Sequence, residues 1–148
     1  MAQFVVFQLA GESYGLDIGK IKEIINMQII TAVPNTAAFI EGIINLRGQV
    51  IPVYNLKAKL GMPDSEPNRQ TRIIVVEAGD LMIGIIVDGV SEVLDFSADI
   101  IEPPSPAIAE NLNEDFIDGI AKFDERLVIL LNLEQIMARD TERLSQVS

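Results

Sequence analysis

Of the side chains that do chemistry, this sequence supplies carboxylates in quantity: 22 Asp and Glu against 11 Lys and Arg, with no His and no Cys. Imidazole acid–base catalysis, thiolate nucleophiles, disulfides and zinc sites of nitrogen and sulfur ligands are therefore out of reach. Two carboxyl groups could share acid and base roles as they do in glycosidases, but nothing in the sequence singles out a pair. The stretch "AGESYG" has two glycines without the lysine or the strand-to-helix setting of a phosphate loop. "DFSADI" and "NLNED" lack the glycine and spacing of a calcium loop. No catalytic residue, cofactor or metal is expected.

The cation that raises a question is Arg47. It stands in "EGIINLRGQVIPVYNLKAKLG", residues 41–61, at the tip of one of the most apolar segments of the chain. Gly48 beside it suits a hairpin turn that needs positive φ. Arg47 is then either a solvated turn charge or a docking feature, and its sequence surroundings leave both open.

The elements that would carry such a feature are short strands. "FVVFQLAGESYGLDI" gives two runs rich in β-branched and aromatic residues around a turn signal. "GKIKEII" is ambiguous between a helical turn and a strand. "VPNTAAFIEG" suggests a brief helix or turn capped by Asn35 or Thr36. The Arg47 hairpin follows, and "NLKAKLG" reads as a short helix with Asn55 as N-cap and Gly61 past its end. Pro52 cannot donate to a ladder, so its strand should have one side without regular pairing. After the polar "MPDSEPNRQ", the segment "RIIVVEAGDLMIGIIVDGVSEVL" repeats strand, turn, strand, a tight turn at Asp88-Gly89, and a third apolar run. Beyond a second Pro-rich loop, "FIDGIAKFDERLVILLNLEQIM" is a hairpin leading into an Asn-capped helix. Its Leu133, Ile136, Met137 and Leu144 share one face.

The two halves match. Gly15 placed on Gly84 brings Val5, Val6 and Phe7 onto Ile74, Val75 and Val76, and Glu23 onto Glu92; Gly42 placed on Gly119 brings Asn55 onto Asn132. Units with many short strands favour closure into barrels, which removes unpaired edges. Two barrels of this size would need to share a core. The expected boundaries are a single domain over 1–148, with one barrel over about 15–65 plus a closing strand, another over about 66–135, and a C-terminal helix over 132–146.

The stretches "AAFIEGIINLRGQVIPVYNLK", "GIIVDGVSEVL", "SADI" followed by "PP", and "GIAKFDERLVILLNLEQI" resemble those of the CheW-type chemotaxis coupling proteins, in family order from about Phe4 to Ile136. The same domain ends chemotaxis histidine kinases and occurs in related adaptors. A chain of this length has no room for a kinase or receiver domain, so a stand-alone adaptor is expected. The resemblance implies a mainly β fold of two intimately packed SH3-like five-stranded barrels with short helices, no catalysis, and a scaffold role. Such a scaffold joins the cytoplasmic hairpin tip of methyl-accepting chemoreceptors to the regulatory domain of the kinase CheA. Carried over by position, the receptor-facing residues are Ile21, Glu23, Arg47, Val90 and Val93, with Arg47 paired to Glu23. Gly42, Gly48 and Gly84 would support the groove. From the residues alone, Ile21, Val90 and Val93 are equally read as core, and only their exposure decides. The family pattern departs at Tyr54-Asn55, where many relatives have an aliphatic residue and Asp.

A formal charge of −11 disfavours nucleic acid and anionic membranes and would attract a partner with a basic patch. No stretch approaches the length of a spanning helix, and the N-terminus lacks a basic region before a long apolar run, so a cytoplasmic protein without membrane insertion is expected, monomeric outside any signalling array. The alternatives are the same adaptor in a different motility or kinase pathway, and a small carboxylate-based hydrolase.

Overall fold

The computed structural model describes residues 2–34, 39–104, 113–123, 125–140 and 144. The caps expected at Asn35 or Thr36, most of the second Pro-rich loop and most of the chain after residue 140 lie outside them. Among the described residues there are eleven strands: β1 Ala2–Leu9, β2 Glu12–Asp17, β3 Ile21–Asn26, β4 Ile40–Leu46, β5 Gln49–Tyr54, β6 Arg72–Ala78, β7 Leu81–Val87, β8 Gly89–Phe96, β9 Ile101–Glu102, β10 Ile117–Phe123 and β11 Arg126–Leu131. The short helices α1, Leu56–Lys59, and α2, Leu133–Ile136, follow β5 and β11. The ambiguous "GKIKEII" resolves into both alternatives, a 3-10 turn over Ile18–Lys20 and then β3.

The strands form two sheets, ordered β8-β1-β2-β11-β10-β9 and β3-β6-β7-β5-β4. These do not follow the sequence halves. The boundary expected near residue 66 is corrected: β6 and β7 complete the sheet of β3, β4 and β5, and β1 and β2 complete that of β8, β10 and β11. The two repeats exchange their first hairpins. The registers show the match, with Val6 opposite Gly15 and Glu92 in one sheet where Val75 stands opposite Gly84 and Glu23 in the other. Leu130 likewise faces Gly15 and Gly119, as Val53 faces Gly84 and Gly42.

Chain reach explains the exchange. A single residue, Asp88, separates β7 from β8. To lie beside β6 of its own hairpin, β8 would have to start roughly 19 Å away, across two inter-strand steps of about 4.8 Å and five residues of about 3.3 Å. The step from Val87 to Gly89 spans about 7 Å at most. So Asp88-Gly89, expected as a tight turn, is a crossing between sheets, and its first amide donates to the Gln8 carbonyl on β1 at 2.9 Å.

The exchange puts the largest core between the barrels. Phe7, Leu9, Tyr14 and Leu16 of one sheet pack with Tyr54, Ile74, Val76, Ile83 and Ile85 of the other. Leu56, Leu133, Ile136, Met137 and Leu144 close over them. Each barrel also has a smaller interior, Phe4, Val6, Phe96, Val128 and Leu130 in one, and Ile44, Ile51, Val53, Ile73 and Val75 in the other. Asn55 and Asn132 cap their helices alike, accepting from the amides of Ala58 and Gln135. Of the helix expected over 132–146, Leu144 is helical, its amide bonding the Asp140 carbonyl at 3.0 Å, 141–143 and 145–146 lie outside the described residues, and α2 itself ends at Ile136. Beyond it the amides of Ala138 and Asp140 turn to the carbonyls of Gln135 and Met137, a tighter pattern that brings Asp140 under Tyr54. Pro52 sits where β5 is paired on one side only, because its parallel pairing with β7 begins at Val53.

Candidate docking site

Leu46 pairs with Gln49, so Arg47 and Gly48 alone form the β4–β5 loop. Their φ values of +51° and +86° are those of a type I′ turn, the turn whose twist matches a two-residue hairpin. The Asn45 side chain accepts the Gly48 N–H at 2.9 Å. The Arg47 guanidinium reaches β3, at the far edge of the same sheet, where Nη2 donates to Glu23 Oε2 at 2.5 Å. The bond to Glu23 and its charge raise the Arg47 pKa further above its usual value. The pair joins the two ends of the β3-β6-β7-β5-β4 sheet and stays at the surface, with the Arg47 side chain 70% exposed. Ile24, beside Glu23, and Val50, three residues beyond Arg47, are large apolar side chains left in water.

The candidate residues fall on both sheets. Ile21, Glu23 and Arg47 belong to the β3–β7 barrel, and Val90 and Val93 to β8, the outer strand of the other. Ile21 and Val90 are half-buried against the central core, whereas Val93 is 51% exposed. Of the glycines, Gly42 lies so near the Thr31 carbonyl that an added Cβ would sit 2.2 Å from its oxygen, and Gly84 packs on Ile73. Gly48 supplies the second positive φ of the turn.

Sequence reasoning missed a second pair. Arg126 donates to Glu92, joining β11 to β8 as Arg47 joins the β4–β5 tip to β3. Val93 and Leu127, next in sequence to Glu92 and Arg126, are exposed, as Ile24 and Val50 are in the other barrel. The alignment of Glu23 with Glu92 was the signal that could have found it.

A pocket of about 230 Å³ between the barrels is lined by Asp17, Lys20, Glu77, Asp118 and Glu134 and is the place a carboxylate-based hydrolase would need. Lys20 bonds Glu134 there and holds its carboxyl below the usual range. Elsewhere, burial pushes the Asp88 carboxyl up, but Lys57, the Ala10 amide and Ser65 outweigh it and the net displacement is downward. A general acid at neutral pH needs the opposite displacement. Among the described residues no group of His, Cys, Asp and Glu is arranged to hold a metal ion, and no helix is long and apolar enough to cross a membrane.

The geometry can present an exposed cation, held by a carboxylate, to another macromolecule. The family model of the CheW-like domain matches residues 3–141. The chain is similar to the chemotaxis protein CheW of Klebsiella aerogenes, 36% identical over 93% of this chain and 82% of that one. It also resembles the chemotaxis protein CheW of Thermotoga maritima, 33% identical over 91% of this chain and 87% of the relative. The crystal structure of the scaffolding protein TtCheW from Thermoanaerobacter tengcongensis superposes with a TM-score of 0.83 at 42% identity, covering 92% of this chain and 87% of that one. With the same domain matched along almost its whole length, the chain belongs to the CheW-like domain family.

Proposed function

We propose that this chain is a non-enzymatic chemotaxis adaptor that binds the cytoplasmic hairpin tip of chemoreceptors and the regulatory domain of the histidine kinase CheA through separate surfaces. Family membership supports the adaptor role, and the observation that carries the receptor reading is Arg47, held on Glu23 at an exposed hairpin tip. A planar guanidinium fixed by one carboxylate keeps donors for a partner. The receptor-facing set is Ile21, Glu23, Arg47, Val90 and Val93, with Gly42, Gly48 and Gly84 shaping its support. The mechanism is linkage: receptor states that bind the adaptor differently bias the kinase through differential binding energy.

The test is a pull-down with a purified receptor cytoplasmic fragment and the kinase regulatory domain, separately and together. Arg47→Glu should lose the receptor, keep the kinase domain, and leave the circular dichroism spectrum and the melting temperature within about 3 °C of the parent. Binding of the unmodified chain to neither partner refutes the proposal, as does an Arg47→Glu variant that fails only because it unfolds.

A further inference from the structure

The two Arg–Glu pairs close equivalent barrels by different backbone routes. Arg126 is the first residue of β11, paired in the ladder with Phe123. Arg47 lies outside its ladder at φ +51°, and among the described residues it shares a positive φ without being glycine only with Ala10. A side chain with Cβ is disfavoured there, and glycine, asparagine and aspartate are the residues that occupy the region readily. Arg126 reaches Glu92 without that conformation, so closing the barrel with an Arg–Glu pair does not require it. The positive φ of Arg47 belongs to its two-residue type I′ turn, and it fixes where the guanidinium starts on its way to Glu23.

What holds the strained turn is Asn45. Its Oδ1 accepts the Gly48 N–H at 2.9 Å, which ties the far end of the turn back to β4. In the matching hairpin Lys122 occupies the Asn45 position and turns to Glu102 at 3.5 Å instead. We propose that Asn45 is a positioning residue of the docking site: its carboxamide holds the Arg47-Gly48 turn in the left-handed conformation that sets the guanidinium on Glu23. Among the described residues Arg47 hydrogen-bonds through Nη2 to Glu23, and with the side chain 70% exposed its other donors are open to a carboxylate or carbonyl on a partner. This identifies what positions Arg47 and, for its binding arm, rests on the receptor reading above.

The test compares Asn45→Ala, Asn45→Asp and Arg47→Gly with the parent in two assays. In the free protein, NMR reads the Gly48 amide exchange rate and the three-bond coupling that reports φ of Arg47. Asn45→Ala should speed that exchange and average the coupling, and Asn45→Asp, which keeps an acceptor oxygen, should restore both. In titration with a receptor cytoplasmic fragment, Asn45→Ala should weaken binding about tenfold and flatten its salt dependence, with Asn45→Asp within about threefold of the parent. Arg47→Gly should melt no lower than the parent, because glycine relieves the turn, yet lose the fragment. An Asn45→Ala variant with parental exchange and coupling overturns the positioning role, and so does one that binds with parental affinity and salt slope. If the parent itself binds no fragment, the receptor reading falls and the NMR arm alone decides on Asn45.

Discussion

Asp88 ties together the parts that the hairpin exchange brings side by side, and removing its carboxylate should show how far the fold depends on them. Oδ1 accepts from Lys57 Nζ of α1 at 2.8 Å and Oδ2 from the Ala10 amide of the β1–β2 turn at 2.8 Å, while its own amide bonds Gln8. The Lys57 side chain is only 6% exposed and that of Asp88 26%, so little water is at hand to replace the lost partner. Asp88→Ala leaves an ammonium buried with Ser65 alone and an unpaired turn amide. Breaking a buried pair from one side costs about 3–5 kcal/mol, and the partial exposure of Asp88 argues for about 2–3 kcal/mol here. For a chain of this length that lowers the melting temperature by about 4–12 °C. Asp88→Asn keeps an acceptor for Ala10 and should lose less. Lys57→Met combined with Asp88→Ala should lose clearly less than the two single changes together, because the second change removes the stranded ammonium. Differential scanning calorimetry of the parent, Asp88→Ala, Asp88→Asn, Lys57→Met and the double variant measures this, and additive losses, or an Asp88→Ala shift under about 2 °C, would refute the reasoning. The pH dependence has a definite sign. The folded pKa of Asp88 lies below the ordinary value of 3.8, so its contribution is present above that value and fades as pH falls through the lower folded one. The gap in melting temperature between the parent and Asp88→Asn should therefore narrow on acidification below about pH 4.

Two further outcomes follow from packing and from the tyrosines. Gly84→Ala would place a Cβ 2.9 Å from Ile73 Cγ2, an overpacking of about 1–3 kcal/mol visible as a lower urea midpoint with an unchanged slope; an unchanged midpoint would show that Ile73 moves aside freely. Both tyrosines, Tyr14 and Tyr54, have pKa values raised first by burial, with Glu12 adding at Tyr14 and the bond to Asp140 adding at Tyr54. Folding thus retains their protons, a stabilisation that is complete below pH 10 and lost above it as the unfolded phenols ionise. Phenolate absorbance should rise together with the loss of circular dichroism, and ionisation near pH 10 in a protein with native circular dichroism would contradict the burial.

Much of the local structure was legible because its causes are local. Asn55 and Asn132 announce their helices through a side chain three residues from the amide it caps. Leu46-Arg47-Gly48-Gln49 announces a hairpin because so short a loop needs positive φ. The signal failed where two local patterns compete: Asp88-Gly89 has the composition of a tight turn, yet its strand leaves for another sheet. The β-branched spacing of Ile21, Val90 and Val93 cannot separate a half-buried strand from an exposed one, and in the structure Ile21 and Val90 are half-buried while Val93 is exposed. Family likeness pointed to the Glu23–Arg47 pair. The second pair and the role of Asn45 depend on which strands become neighbours.

The sequence by itself determined the kind of protein this is: strands too short and too numerous for anything but small closed sheets, an anionic surface, and no imidazole or thiol for catalysis. Only the tertiary structure decided where each hairpin went and which charges met. Strand partners are chosen by long-range register, and a side chain such as Arg47 acquires its meaning from a residue on the opposite edge of its sheet.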